Sequence, residues 1–157
     1  MDAARAKEET VRRAAAALVA VALSAACGGP EPPPFKPVAD IKQLMEAIVD
    51  PSADVVWESV KTTFTKEGMD EHQPRTEAEW ATVRHNAMIL TEAGNLLMMP
   101  PRAKDGGDWM TFAQELIDTA SVALRAAEAK NVDQLYDVGG LIDETCEKCH
   151  KKYWPNY

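Results

Sequence analysis

Cysteine is sparse in this sequence: Cys27, Cys146 and Cys149 are the only three in 157 residues. Three cannot build the disulfide framework that staples many small secreted domains. Long hydrophobic runs are missing as well, since the longest, Ala14 to Ala26, falls well short of the roughly twenty apolar residues a membrane-spanning helix needs. No useful stretch alternates apolar and polar residues with period two, which argues against a sheet-built core. Positive charge is in deficit, with 17 Lys+Arg against 25 Asp+Glu, and this excludes nucleic acid or an anionic lipid surface as the main partner. No nucleophile–base pair or other acid/base constellation stands out, so an enzyme is not expected. What is present, 46% hydrophobic and 27% charged residues, suffices for one packed domain and is too little for two.

The N-terminus does not belong to that domain. Arg5, Lys7, Arg12 and Arg13 precede the Ala14–Ala26 run, which meets Cys27-Gly28-Gly29-Pro30. A basic segment, a short apolar core and small residues at the break describe a secretory signal over residues 1–27. The end of the run, Leu23-Ser24-Ala25-Ala26-Cys27, resembles the lipobox of bacterial lipoproteins, in which the cysteine is lipidated and becomes the new N-terminus. Ser24 departs from the usual leucine, and ordinary cleavage after Ala26 is the alternative. Removing the signal leaves 13 Lys+Arg against 22 Asp+Glu, a net charge of −9. Residues 28–38 follow as a tether containing Pro30, Pro32, Pro33, Pro34 and Pro37; this composition favours extended polyproline II and a semi-rigid spacer.

Residues 39–157 read as helices. From Thr76 to Met99, Trp80, Val83, Ala87, Leu90, Gly94 and Leu97 recur at alternating steps of three and four. Thr76-Glu77-Ala78-Glu79 offers a capping box, and Pro100-Pro101 stops the helix. A second stripe starts near Asp108 with Phe112, Leu116, Ala120, Leu124 and Ala127, and ends around Lys130-Asn131. A third starts near Val132-Asp133 and carries Leu135, Val138 and Ile142. The first helix, from about Asp40, bears Ile41, Leu44, Met45 and Ile48; Asp50-Pro51 interrupts it, and a second limb carries Val55, Val56, Trp57 and Val60. Gly68 to Gln73 is expected as a loop. Four helices with short connections imply an all-α antiparallel four-helix bundle with a site between helices.

The chemistry concentrates near the far end, in Cys146-Glu147-Lys148-Cys149-His150. C-x-x-C-H is the attachment signal of c-type haem, two thioethers and a histidine ligand to iron. On a continuing helix these side chains fall at i, i+3 and i+4, on one side, as gripping one porphyrin requires. Lys151 to Tyr157 are too few to fold over a haem, so a second axial ligand must come from upstream or be absent. Two other readings compete. A zinc site needs further donors, from His72, His85 or carboxylates. A thioredoxin-like redox pair wants a βαβ setting, which is missing here.

With export signal, helical pattern and terminal C-x-x-C-H together, the chain resembles the class II c-type cytochromes, the cytochrome c prime family, over about Asp40 to Tyr157. The resemblance implies one covalent haem c on Cys146 and Cys149, His150 as proximal iron ligand, and a distal face lined by the first helix. Family members often continue the motif with an aromatic residue and arginine; Tyr153 fits the first, but Trp154 stands at the second, which puts proximal gas chemistry in doubt. Met45 lies where the family's distal residue falls. As a ligand it would make the haem six-coordinate and the protein a periplasmic, lipid-anchored electron carrier serving redox partner proteins. As a mere packing residue it would leave an open iron that binds nitric oxide or carbon monoxide behind Leu44 and Ile48. The resemblance also allows a homodimer through the first two helices. A non-haem structural or metal-binding lipoprotein is the third reading.

Other residues have plainer expectations. Met69, Met88, Met98, Met99 and Met110 read as packing or loop residues, His85 as solvent-facing and His72 as a loop residue. Trp57, Trp80 and Trp109 could surround a porphyrin or anchor the core, and the core is preferred for Trp80. Lys148, Lys151 and Lys152 form a basic cluster that either steers an acidic partner or simply complements the helix dipole.

Overall fold

The computed structural model describes residues 35–155; the signal segment, Cys27 and the tether up to Pro34 lie outside the described residues. Phe35 to Val38 carry no regular structure. The chain then turns helical at Asp40, whose carboxylate accepts the Gln43 amide at 2.8 Å while the Gln43 side chain accepts the Asp40 amide at 3.0 Å. This reciprocal cap satisfies two of the orphan donors of a helix start.

Helix α1 runs in two limbs, Ile41–Leu44 and Asp50–Ser59, joined by a π-helical turn, Met45–Val49. The expected interruption at Asp50-Pro51 is therefore corrected to a wide turn within a continuing helix. Pro51 has no N–H, and its ring presses on the carbonyl four residues back. Widening the preceding turn, with the Asp50 amide bonded to the Met45 carbonyl, accommodates the ring, and Pro51 then sits at the permissive start of the second limb.

Residues expected as a loop form the second strand of a hairpin. Strand β1, Lys61–Thr65, pairs antiparallel with β2, Gly68–His72, in the register Lys61↔His72 to Thr65↔Gly68. Every strand residue is exposed, so there is no buried face to impose period two on the sequence. The readable signal is the β-favouring run Thr62-Thr63-Phe64-Thr65, with Gly68 at φ 138° where the chain reverses.

Helix α2, Glu77–Met98, starts at the Thr76 capping box and buries its whole predicted stripe together with Ala93. Helix α3, Asp108–Glu128, buries Leu116, Ala120 and Ala127 as expected. Trp109, Ala113, Ala123 and Ala126 complete its inner face, while Phe112 and Leu124 are only half-buried. Short alanines set the inner face because α2 and α3 pack closely: a Cβ on Gly94 would lie 2.5 Å from Ile117 Cγ1 and 2.8 Å from the Ala113 carbonyl oxygen. Helix α4, Val132–Tyr153, is capped by Asn131 and buries Leu135, Val138, Ile142 and Thr145.

The protein is thus mostly helical, all-α with one small hairpin. The α2–α3 contact is the most extensive, α3–α4 follows, and α1 leans on α2 while meeting α4 only lightly. Arg102, buried in the α2–α3 connection, ties the start of α1 down by donating to the carbonyls of Ala39 at 3.0 Å and Leu96 at 3.2 Å. No helix among the described residues is long and apolar enough to cross a membrane.

Candidate functional site

Where α1 and α4 touch lightly, a cavity of about 630 Å3 opens. Helix α1 contributes Met45, Val49, Asp50, Ala53, Asp54 and Trp57 to its wall, and α2 contributes Leu97. From α3 come Trp109, Phe112, Ala113 and Leu116, and from α4 and its end Asp143, Cys146, Cys149, His150 and Trp154. The cysteines and the histidine come together as their helical spacing requires, all three half-buried on the cavity side of α4.

Met45, on the π-helical turn, is half-buried and lines the same cavity. Leu44, its chain neighbour, is 1% exposed in the core, and Ile48 is not in the lining. Of the first-helix trio named from the sequence, only Met45 therefore faces the cavity. Trp57 and Trp109 line it too, each with its indole N–H satisfied: Trp57 donates to the Gly139 carbonyl at 3.0 Å and Trp109 to that of Leu97 at 2.8 Å. Trp80 lies elsewhere, 5% exposed in the helical core. His72 sits on β2 and His85 on the exposed side of α2, neither beside the cysteines.

The thiols are poorly ionised. Burial pushes Cys146 up to about 11, with Asp143, Asp50 and Cys149 adding to the effect, and burial raises Cys149 too. A redox-active dithiol needs the opposite, a depressed thiol in an electropositive setting. At the rim, desolvation raises the Asp50 carboxyl, opposed by His150 and reinforced by Asp54 and Glu46.

The lysines around the motif do not stand as an open basic patch. Lys151 pairs with Glu147 at 2.7 Å, Lys148 faces Glu115 at 3.6 Å and Lys152 pairs with Asp108. The Lys151–Glu147 and Lys152–Asp108 pairs are exposed and worth little to stability, whereas the Glu115 oxygen that Lys148 faces is itself buried and accepts no hydrogen bond.

These residues fit a covalently held haem. The volume lies within the roughly 300–1,000 Å3 of cofactor pockets. The wall is largely apolar and aromatic on the α2–α3 side, two thiols are available on one helix face, and an imidazole and a thioether lie in the same lining. Several contributors are invisible to motif reading. Phe112 reads as part of a core stripe, and the rim carboxylates Asp50, Asp54 and Asp143 carry no local pattern. The π-helical turn leaves only the trace of Pro51.

No protein-family model, curated protein or solved structure matches this chain.

Proposed function

We propose that the chain is an exported monohaem c-type cytochrome that transfers electrons. Its helices form an antiparallel four-helix bundle, Cys146 and Cys149 carry the haem, His150 is the proximal ligand and Met45 the distal one. Haem supplies reversible one-electron chemistry at the iron. The chain's own part is to keep water from the face walled by Leu97, Trp109, Phe112 and Leu116, to orient the imidazole on α4 and to present the thioether from α1.

The observation that carries this reading is the shared cavity: the complete C-x-x-C-H set from one helix and Met45 from another line the same space. The five-coordinate gas-binding reading asks for an apolar gate of Leu44 and Ile48. Leu44 is committed to the core and Ile48 is outside the lining, which favours the carrier. Cys27 is the proposed lipid site, residues 28–38 the spacer, and the periplasmic side of a bacterial membrane the location, with redox proteins as partners.

The test is protein made with a c-type haem attachment system. Covalent mass on Cys146 and Cys149, with sharp, split reduced absorption bands that ignore carbon monoxide, is the expected result. Broad high-spin bands that shift with the gas would replace electron transfer by gas binding, and a chain without added mass would end the haem reading altogether.

A further inference from the structure

His150 lies in the last turn of α4, which ends at Tyr153. Last turns fray, because their carbonyls lack helical partners. Here the Trp154 amide closes back on the His150 carbonyl at 2.8 Å, and the lysine pairs beside it are exposed and weak. The light α1–α4 contact adds little restraint from the other side. The imidazole meets the Trp154 ring edge-on, centroids 5.7 Å apart, and the turn that carries both rings needs an anchor on a neighbouring helix.

Tyr153 meets that need. Its ring stands edge-on to Trp109, centroids 5.0 Å apart at 78°, and lies 6.4 Å from Phe112. Its hydroxyl donates to one carboxylate oxygen of Asp105. The other oxygen of Asp105 accepts the amides of Gly107 at 2.8 Å and Trp109 at 3.2 Å, which caps the start of α3. Trp109 in turn holds the end of α2 through its indole bond to the Leu97 carbonyl. One carboxylate thus joins the end of α4 to the start of α3, and through Trp109 to the end of α2, all beside the cavity.

We infer that Asp105 is a positioning residue for His150, acting through the Tyr153 hydroxyl to lock the helix turn that presents the imidazole to the cavity. The inference rests on the proposal that His150 meets the iron. It predicts that the latch sets the site's spectroscopic and redox properties without touching the cofactor.

The experiment compares wild-type holoprotein with Tyr153→Phe, Asp105→Ala and Asp105→Asn. It reads amide exchange at residues 150–154, the ferric electron paramagnetic resonance spectrum and the reduction potential. Tyr153→Phe keeps the ring and removes only the latch, so it remains informative should Asp105→Ala fail to fold. Tyr153→Phe should speed exchange of the Trp154 amide severalfold and shift both spectrum and potential. Asp105→Ala should give the same shift, and the double variant no further one. Asn at 105 can still accept the two amides and donate to the Tyr153 oxygen, so Asp105→Asn should stay near wild type. Wild-type exchange, spectrum and potential in Tyr153→Phe would overturn the inference. If no covalent haem forms, the cytochrome reading fails, and exchange at the Trp154 amide still decides the latch.

Discussion

Replacing Gly94 by alanine tests the closest approach made by any glycine among the described residues. In an open helix the change would stabilise by about 1 kcal/mol, because glycine loses more backbone freedom on folding. At Gly94 the new Cβ would sit 2.5 Å from Ile117 Cγ1 and 2.8 Å from the Ala113 carbonyl oxygen. The Ile117 side chain can swing away, but the backbone oxygen cannot. Helices α2 and α3 must separate by several tenths of an ångström, and Ala87, Ala120 and Ala123, all fully buried, are too short to refill the gap. Overpacking of this kind costs about 1–3 kcal/mol. Because the clash includes a backbone atom, the cost falls in the upper part of that range, about 2–3 kcal/mol; set against the helical gain, we expect a net loss of about 1–2 kcal/mol and a Tm lower by roughly 4–8 °C. Gly140 on α4 supplies the internal control: it is exposed, and a Cβ there meets nothing within 4 Å. Gly140→Ala should therefore raise stability by about 0.5–1 kcal/mol. Paired thermal and urea unfolding reads both. A Gly94→Ala protein as stable as wild type, or two glycines that respond with the same sign, would refute the close-approach argument.

Arg102→Met keeps bulk but leaves the Ala39 and Leu96 carbonyls without their donor; unfolding should show a loss of about 1–3 kcal/mol, with faster amide exchange at the start of α1. In the haem-free chain, Cys146, held up to about 11, should react with iodoacetamide at pH 8 roughly 10- to 100-fold more slowly than an unperturbed cysteine. Reaction at the ordinary rate would show that the thiol is not buried as described. The Asp105 carboxyl is held below its usual range, by the Tyr153 hydroxyl first and the Gly107 and Trp109 amides next. Its contribution is complete above the ordinary carboxylate range near pH 4 and is lost as pH falls through its depressed native value. Acid unfolding of Asp105→Asn should accordingly be shallower than that of wild type in that window.

How much of this was legible depends on whether a residue announces itself through its neighbours in sequence. Helix α2 was readable nearly to the residue, because its stripe, capping box and terminating prolines are all local. Helix α4 was readable for the same reason, and with it the common face of Cys146, Cys149 and His150. Helix α3 was placed correctly and three of its five stripe residues are buried, but Phe112 and Leu124 are only half-buried; Ala113, which meets Gly94, and Ala123 and Ala126 fill the inner face instead, and close helix approach leaves no trace in hydrophobic periodicity. The hairpin was missed because a strand with no buried face has no period to detect. The wide turn at Met45–Val49 was read as a break, since a proline marks where a helix is disturbed without saying how the chain absorbs it.

The candidate site divides along the same line. Its chemistry came from one local motif, whereas its walls come from four helices and could only be assembled in three dimensions. Asp105 stands between the two cases. In Asp105-Gly106-Gly107 its carboxylate caps the helix that follows, a local role, and that is half of what it does. Its other half, the bond from Tyr153, spans 48 positions and couples the start of α3 to the turn that carries His150. A capping residue that also receives a bond from the far end of the site is under two constraints at once. Substitutions that satisfy only the cap should leave a folded protein whose imidazole is loosely held. Serine at 105, a good cap too short to reach Tyr153, should therefore preserve Tm while reproducing the Tyr153→Phe shift in the ferric spectrum. A serine variant spectroscopically equal to wild type would mean that capping α3 alone orients the site.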